Sequence, residues 1–149
     1  MKHVRLSLAG AALLLAAASL PALADPQSDA CAFARILTKD GSGPAITFLE
    51  GLADQWSADQ RSKLAVVVGS ELAKFQYQSA QVYQVANIPG SIEEYLAVMN
   101  LRGIGSVYVR LLFEGNGSNP KFINVDFRAS YYDILQPPFF QVPTPVACD

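Results

Sequence analysis

The chain has 149 residues, 51% of them hydrophobic, and its eleven Lys and Arg against thirteen Asp and Glu give a formal net charge of −2 at pH 7. A protein without a basic run lacks the counterion release that drives nucleic-acid binding. Because this chain has no such run, a nucleic-acid partner is excluded.

The first 24 residues have the pattern of a bacterial-type secretory signal. Lys2, His3 and Arg5 supply a positive start, residues 6–20 are apolar, and Ala22-Leu23-Ala24 is a small-x-small cleavage site. No later stretch approaches the roughly 20 apolar residues that a membrane-spanning helix needs. We therefore predict a signal peptide at 1–24 and an exported protein, periplasmic or secreted. Its residues 25–149 form a single domain of formal charge −4.

His3 is the only histidine, and signal cleavage removes it. Without an imidazole the mature protein cannot run Ser-His or Cys-His nucleophilic catalysis or supply a His metal ligand. Only carboxylates, Tyr and Lys remain as proton-transfer groups. We expect no catalytic residue, no metal and no cofactor.

The two cysteines, Cys31 and Cys148, lie near the ends of the mature chain. In an oxidising compartment they are predicted to form one disulfide, which the chain-entropy model values at roughly 4 to 5 kcal/mol for so long a loop. The alternative, a reactive thiol, requires the other cysteine to be idle.

Helical spacing of apolar residues dominates from 27 to 88. A first short helix is predicted behind a cap at Ser28 or Asp29, with a stripe of Ala32, Phe33, Ile36 and Leu37. A second helix is predicted to begin at Pro44, which needs no amide partner there, and to carry Trp56 on one face with Ile46, Leu49, Leu52 and Ala53.

A third, longer helix is predicted to begin with the capping box of Ser57 and Gln60. Its stripe is Leu64, Val67, Val68, Leu72 and Phe75, continued less regularly by Val82 and Val85. Gly69 inside it predicts close packing or a bend. The pattern stops at Ile88-Pro89-Gly90, and it leaves open whether 81–86 extends the helix or forms an irregular link.

Alternation by two predicts four strands in the second half of the chain. They cover about 92–101, 106–114, the stretch around 122–127, and 132–136. A Pro-rich tail, 137–149, then delivers Cys148 to the first helix. Aligning the apolar faces of the second and third strands predicts that Arg110 opposes Asp126 and that Tyr108 opposes Arg128, an ion pair and a cation–aromatic pair.

Three helices followed by an antiparallel meander predict an α+β domain with helices covering one face of a curved sheet. The long third helix leads into Tyr95-Leu96-Ala97-Val98, then 107–113, then 122–127. This order resembles the cystatin-like α+β cone of the NTF2-like superfamily, and most of all its small exported members of unknown role. The resemblance covers about 44–135, and it implies a sheet wrapped around a pocket used for ligands, catalysis or dimerisation.

The first candidate site is a polar cluster on one sheet face: Tyr108, Arg110, Asn124, Asp126 and Arg128. If this face lines the cone, the cluster can hold a polar or anionic ligand; otherwise it is a solvated face with ordinary ion pairs. The second candidate is an aromatic set that lines an apolar pocket or simply fills the core: Phe75, Tyr77, Tyr83, Tyr95, Phe139 and Phe140. Glu93 and Glu94 are adjacent, so they point to opposite faces and do not form a carboxylate dyad.

These observations predict a non-catalytic interaction module that binds a small ligand or a protein partner. Two alternatives remain. One is a small NTF2-like enzyme whose buried Asp or Tyr acts as a base, which requires a carboxylate such as Asp126 or Asp133 to be buried in a cavity. The other is a structural homodimer.

Overall fold

The structure, a computed structural model, describes residues 25–103, 105–115, 120–134 and 141–148. The predicted signal peptide lies outside these residues. Within them, no helix is long and apolar enough to cross a membrane.

From residue 25 onward, the described N-terminal part contains four α-helical segments. They are α1 (Pro26–Lys39), α2 (Ser42–Leu52), α3 (Ala58–Lys63) and α4 (Gly69–Leu72), and a π-helical stretch, Leu64–Val68, joins α3 to α4.

The starts of the first two helices differ from the predictions. The predicted cap at Ser28 or Asp29 is wrong, because Asp25 caps α1 by accepting a hydrogen bond from the amide of Gln27 (3.2 Å), with Pro26 as the first helical residue. α2 begins two residues before Pro44 and ends at Leu52, so Trp56 lies in the turn beyond it.

The start of the third helix is confirmed. Ser57 Oγ accepts from the amide of Gln60 (3.2 Å), and Gln60 Oε1 accepts from the amide of Ser57 (2.8 Å). Gly69 packs against α2, since a Cβ placed on it would lie 3.4 Å from Ile46 Cγ1. The close packing predicted from this glycine is therefore present.

The described residues contain five strands in one antiparallel sheet. The strands are β1 (Tyr77–Ile88), β2 (Ile92–Leu101), β3 (Ser106–Glu114), β4 (Lys121–Arg128) and β5 (Thr144–Pro145), in the order β4-β3-β2-β1-β5. The prediction of four strands differs from the structure in three places. β1 and the two-residue β5 were not predicted, and a short helix, α5 (Tyr131–Ile134), begins where the last strand was expected.

β1 answers the question left open about 81–86, which is neither helix nor link. The register between β1 and β2 shifts between Gln84 and Ala86, so Val85 is an extra residue. Because strand side chains alternate, Val85, three residues after Val82, lies on the face opposite the one that Val82 shares with the helices. Two valines three residues apart thus imitate helical spacing while they point to opposite faces of a strand.

The register predicted for β3 and β4 is confirmed. Arg110 lies opposite Asp126, and Tyr108 lies opposite Arg128. The ladder shifts by one residue beyond Leu112, because Phe113 pairs with Phe122 and leaves Ile123 as an extra residue.

The two sheet faces have separate apolar clusters. We call the face beneath α1, α2 and α4 the inner face and the opposite one the outer face. The inner face holds the main core, whose largest fully buried members include Phe33, Leu37, Leu49, Leu111 and Phe113. The outer face holds a small cluster of Val85, Leu96 and Ile134. The α+β class, with helices covering one sheet face, is therefore confirmed.

The C-terminal segment, residues 141–148, runs along the edge of β1 that does not pair with β2. The amide of Gln141 donates to the carbonyl of Val85 (3.2 Å), and that of Val146 donates to the carbonyl of Val82 (3.0 Å). Cys148 then forms a disulfide with Cys31 of α1, with their Cα atoms 5.3 Å apart. The predicted disulfide is present, and it excludes the reactive-thiol alternative in this structure.

Candidate functional site on the outer sheet face

The five residues of the predicted polar cluster lie on the outer face. Tyr108 and Arg110 alternate along β3 with the inner-core residues Val107, Val109 and Leu111. Asn124, Asp126 and Arg128 lie opposite Leu112, Arg110 and Tyr108. The strand pattern therefore identified a real shared surface, on the side of the sheet away from the N-terminal helices.

Arg110 is the buried centre of this surface. Its Nε and Nη2 donate to the same oxygen of Glu94 on β2, at 2.8 and 2.6 Å, and its Nη1 donates to the carbonyl of Ile134 at 3.0 Å. Arg110 is 5% exposed and Glu94 is 6% exposed. The guanidinium thus joins two strands to the last residue of α5.

The ion pair expected between Arg110 and Asp126 is replaced by two others. Although the two residues are opposite in the ladder, Arg110 pairs with Glu94 on the other neighbouring strand. Asp126 instead pairs with Arg128 on its own strand, at 2.7 Å. Glu94 on β2 and Asp126 on β4 lie on opposite sides of β3, so a side chain on β3 has a carboxylate on each side.

Two tyrosines that the sequence reasoning did not include complete the surface. Tyr131 packs on Tyr108, with ring centroids 5.6 Å apart, and Tyr132 packs on Tyr131 at 6.1 Å. Tyr131 is 48% exposed and Tyr132 is 79% exposed. The predicted last strand begins at Tyr132 and leaves Tyr131 outside it, whereas one helical turn over Tyr131–Ile134 places both rings over the outer face.

The remaining polar residues of the outer-face surface are exposed to solvent. Asn124 and Arg128 are exposed, and Arg128 Nη1 also donates to the carbonyl of Phe127 (2.9 Å). We call Tyr108, Tyr131, Tyr132, Arg128 and Asn124 the tyrosine patch. It combines large aromatic surface, hydroxyl groups and one guanidinium, the side-chain types that are enriched at protein interfaces.

The second predicted candidate, the aromatic set, does not form one pocket. Phe75 packs on Phe127 on the inner face, while Tyr77 and Tyr95 are buried in the main core. Tyr83 packs against the small outer cluster. Phe139 and Phe140 lie outside the described residues. The members that the structure describes are divided between the two faces of the sheet.

The buried tyrosines are hydrogen-bond donors. Tyr77 Oη donates to the carbonyl of Leu72 (2.8 Å), and Tyr95 Oη donates to Glu93 Oε2 (2.8 Å). Burial raises the pKa of both phenols above its ordinary value, and Glu93 raises the pKa of Tyr95 further. Both therefore stay protonated at neutral pH, which does not suit a general base.

Asp126 and Asp133 are not buried in a cavity, as the alternative of a catalytic base requires of them. Asp133 is exposed, and the side chain of Asp126 is 26% exposed and paired with Arg128. Glu93 and Glu94 point to opposite faces, as predicted, because one contacts Tyr95 on the inner face and the other contacts Arg110 on the outer face. Among the described residues, no group of three or more His, Cys, Asp or Glu is placed to hold a metal.

Comparison with known proteins finds no matching family model, curated protein or solved structure. The resemblance to the NTF2-like superfamily therefore stays a prediction.

Proposed function

We propose that this chain is an exported, non-catalytic interaction module that binds a partner protein through the tyrosine patch. The observation that carries the proposal is the exposed pair Tyr131 and Tyr132, held over the sheet by a helical turn that the buried Arg110 anchors. Tyrosine offers a large, rigid contact surface at low entropic cost, so aromatic rings held in this way bind with little ordering penalty.

The packing of the domain favours a protein partner over an enclosed small ligand. The inner face, which a cone would use for a ligand, is filled by the main core in the described part of the chain. The tyrosine patch, by contrast, is an exposed surface. The disulfide supports export, since such bonds persist in oxidising compartments.

Native mass spectrometry of the protein purified from its own host tests this proposal. We compare wild type with Tyr132→Ser, which removes the most exposed ring of the patch, and with Val67→Ser, a matched control that removes an exposed apolar side chain (60% exposed) from the π-helical stretch. We expect a complex of the chain with a second protein in wild type and in Val67→Ser, and its loss in Tyr132→Ser.

Two results would count against the proposal. One is a complex that survives Tyr132→Ser unchanged. The other is a retained small molecule without any protein partner. A doubled chain mass that depends on Tyr132 would identify the partner as a second copy, which is the homodimer alternative at the same surface.

A further inference from the structure

An open cleft of about 570 Å³ lies away from the tyrosine patch, between the turn after α2 and the end of the β3–β4 hairpin. Its lining residues are Gln55, Trp56, Gln60, Glu114, Lys121 and Ile123. None of them belongs to the outer-face cluster or to the main core's fully buried set. The cleft is therefore independent of the proposed function.

Trp56 forms a rigid apolar wall of this cleft. Its Nε1–H donates to the carbonyl of Phe122 (3.1 Å), and its ring stacks on that of Phe122 with centroids 5.3 Å apart and an interplanar angle of 8°. Gln55 Nε2 donates to the same carbonyl (3.1 Å). The polar edge of the indole and one of its faces are thus engaged internally, so the part of the ring that lines the cleft is apolar surface.

The polar groups around this wall are uncommitted. Glu114 and Lys121 are directly opposite in the ladder, yet within the described residues their side chains form no ion pair or hydrogen bond. Gln60 uses its Oε1 in the capping box and keeps its amide hydrogens, whereas Gln55 donates one amide hydrogen to Phe122 and keeps its Oε1 as an acceptor. Two acceptors and two donors therefore surround Trp56.

The backbone of β4 contributes the other apolar contact. Ile123 is the extra residue where the β3–β4 register shifts. Such a bulge re-aims a side chain and is common beside binding sites. Here the bulged residue lines the cleft together with Trp56.

We propose that this cleft binds a saccharide, with a sugar ring packed on Trp56. A pyranose has an apolar C–H face that suits an aromatic wall, and its hydroxyls both donate and accept, which matches interleaved donors and acceptors. Glu114 and Lys121 give the cleft no net charge, so it favours neither an anion nor a cation, and a long aliphatic ligand leaves four polar groups desolvated without partners. A neutral polyol carrying an apolar face meets all of these constraints.

Trp56 is the chain's single tryptophan, so its emission reports this cleft alone. The full chain is titrated with triacetylchitotriose, cellotriose and maltotriose up to about 20 mM, well above a millimolar Kd. For at least one sugar we expect a blue shift, weaker quenching by acrylamide and a Kd of about 1 mM or lower. The indole N–H resonance in a ¹H–¹⁵N spectrum, followed in the same titration, confirms the assignment.

Substitutions then locate the site. Because hydrogen bonds to charged groups are the stronger ones, Glu114→Gln and Lys121→Gln should each raise the Kd roughly tenfold. Lys74→Gln removes a surface ammonium on α4's side of the molecule that is paired with Glu71, and it should leave the Kd unchanged. Unfolding midpoints in urea for all variants show that the fold is intact.

The proposal is overturned if none of the three sugars alters either signal. It is equally overturned if the Kd is the same in Glu114→Gln and Lys121→Gln as in wild type, or if free lysine or glutamate produces the response and the sugars do not.

Discussion

At the scale of single residues, Arg110 determines whether the outer face can hold α5. A buried guanidinium is expensive to desolvate, and its cost is offset here by one carboxylate and one backbone carbonyl. The carbonyl of Ile134 belongs to the end of a helical turn, where carbonyls lack an internal partner. One side chain thus satisfies a charge on β2 and an orphan acceptor on α5.

Removing one member of this buried pair should be costly. Glu94→Gln removes the carboxylate that pairs with the enclosed guanidinium, so we expect a loss of about 3 kcal/mol in the free energy of unfolding, measured with urea. Asp126→Asn, which breaks the more exposed pair with Arg128, should cost less than about 1 kcal/mol.

The double variant Glu94→Leu/Arg110→Met distinguishes the effect of the buried charges from the effect of the hydrogen bond between Arg110 and the carbonyl of Ile134. It removes both charges, so most of the stability should return, but the carbonyl of Ile134 loses a donor and a deficit of about 1–3 kcal/mol should remain. A loss in Glu94→Gln no larger than that in Asp126→Asn would show that the pair does not anchor the face.

Asp29, in the first turn of α1, gives a pH-dependent prediction. Burial raises its pKa above the ordinary value of 3.8, and the nearby charge of Asp25 raises it further. The folded state then holds the proton more tightly than the unfolded state does. The protonated Asp29 carboxyl therefore stabilises the folded state fully below pH 3.8, and this stabilisation is lost as the pH rises through the higher pKa of the folded state.

Asp29→Asn removes this loss because the amide never ionises. We expect the variant to match wild type most closely near pH 3 and to gain stability relative to it as the pH rises above 3.8. Urea unfolding at a series of pH values measures the difference. A difference that stays constant over the series, or that changes in the opposite direction, would contradict the assignment.

At the scale of elements, the sequence pattern correctly predicted the strands that have one apolar and one polar face. The capping box of Ser57 located a helix start, and alternation of apolar residues located β2, β3 and β4 with the correct pairing of Tyr108 and Arg128. It could not choose the carboxylate for Arg110, because a central strand has a neighbour on each side and a pairwise register describes only one of them.

The elements that were missed are those where local geometry breaks the period. In β1, Val82 and Val85 are three residues apart and lie on opposite faces, and the bulge at Val85 interrupts the alternation by two. α5 is only four residues long, too short for any period to be read. Its position depends on the contact of Arg110 with Ile134, which is a tertiary interaction and leaves no local trace in the sequence.

The candidate sites also contain some residues that strand alternation predicts and others that only long-range packing brings together. The polar cluster was identified because strand alternation places its residues on one face, whereas Tyr131 and Tyr132 joined it only through a helical turn. The Trp56 cleft depends on residues from α3, the preceding turn and two strands. Long-range packing, which includes the shared carbonyl of Phe122, brings them together.

At the scale of the whole molecule, the disulfide joins the first helix to the segment that covers the edge of β1. Cys31 and Cys148 are 117 residues apart in sequence. Among the described residues, backbone pairing with β1 also holds this segment, and Gln27 Nε2 and Gln81 Nε2 reach the carbonyls of Ala147 and Val146 at 3.2 and 3.4 Å. Because β5 pairs over only two residues, we expect the covalent bond to be the main restraint on this segment.

Cys31→Ser/Cys148→Ser should consequently lose about 4–5 kcal/mol in the free energy of unfolding, because the cross-link restricts the unfolded chain in proportion to the logarithm of its loop length. Wild type reduced with dithiothreitol is the matched control and should lose a similar amount.

In the folded state, the double variant should also lose protection against amide exchange, and only in the C-terminal segment. The amide of Val146, bonded to the carbonyl of Val82, should exchange with deuterium much faster, while the amides of β2 and β3 change only by the global loss. If the double variant keeps both the stability and the slow exchange of Val146, then the backbone pairing along β1 holds the segment by itself, and the disulfide is not its main restraint.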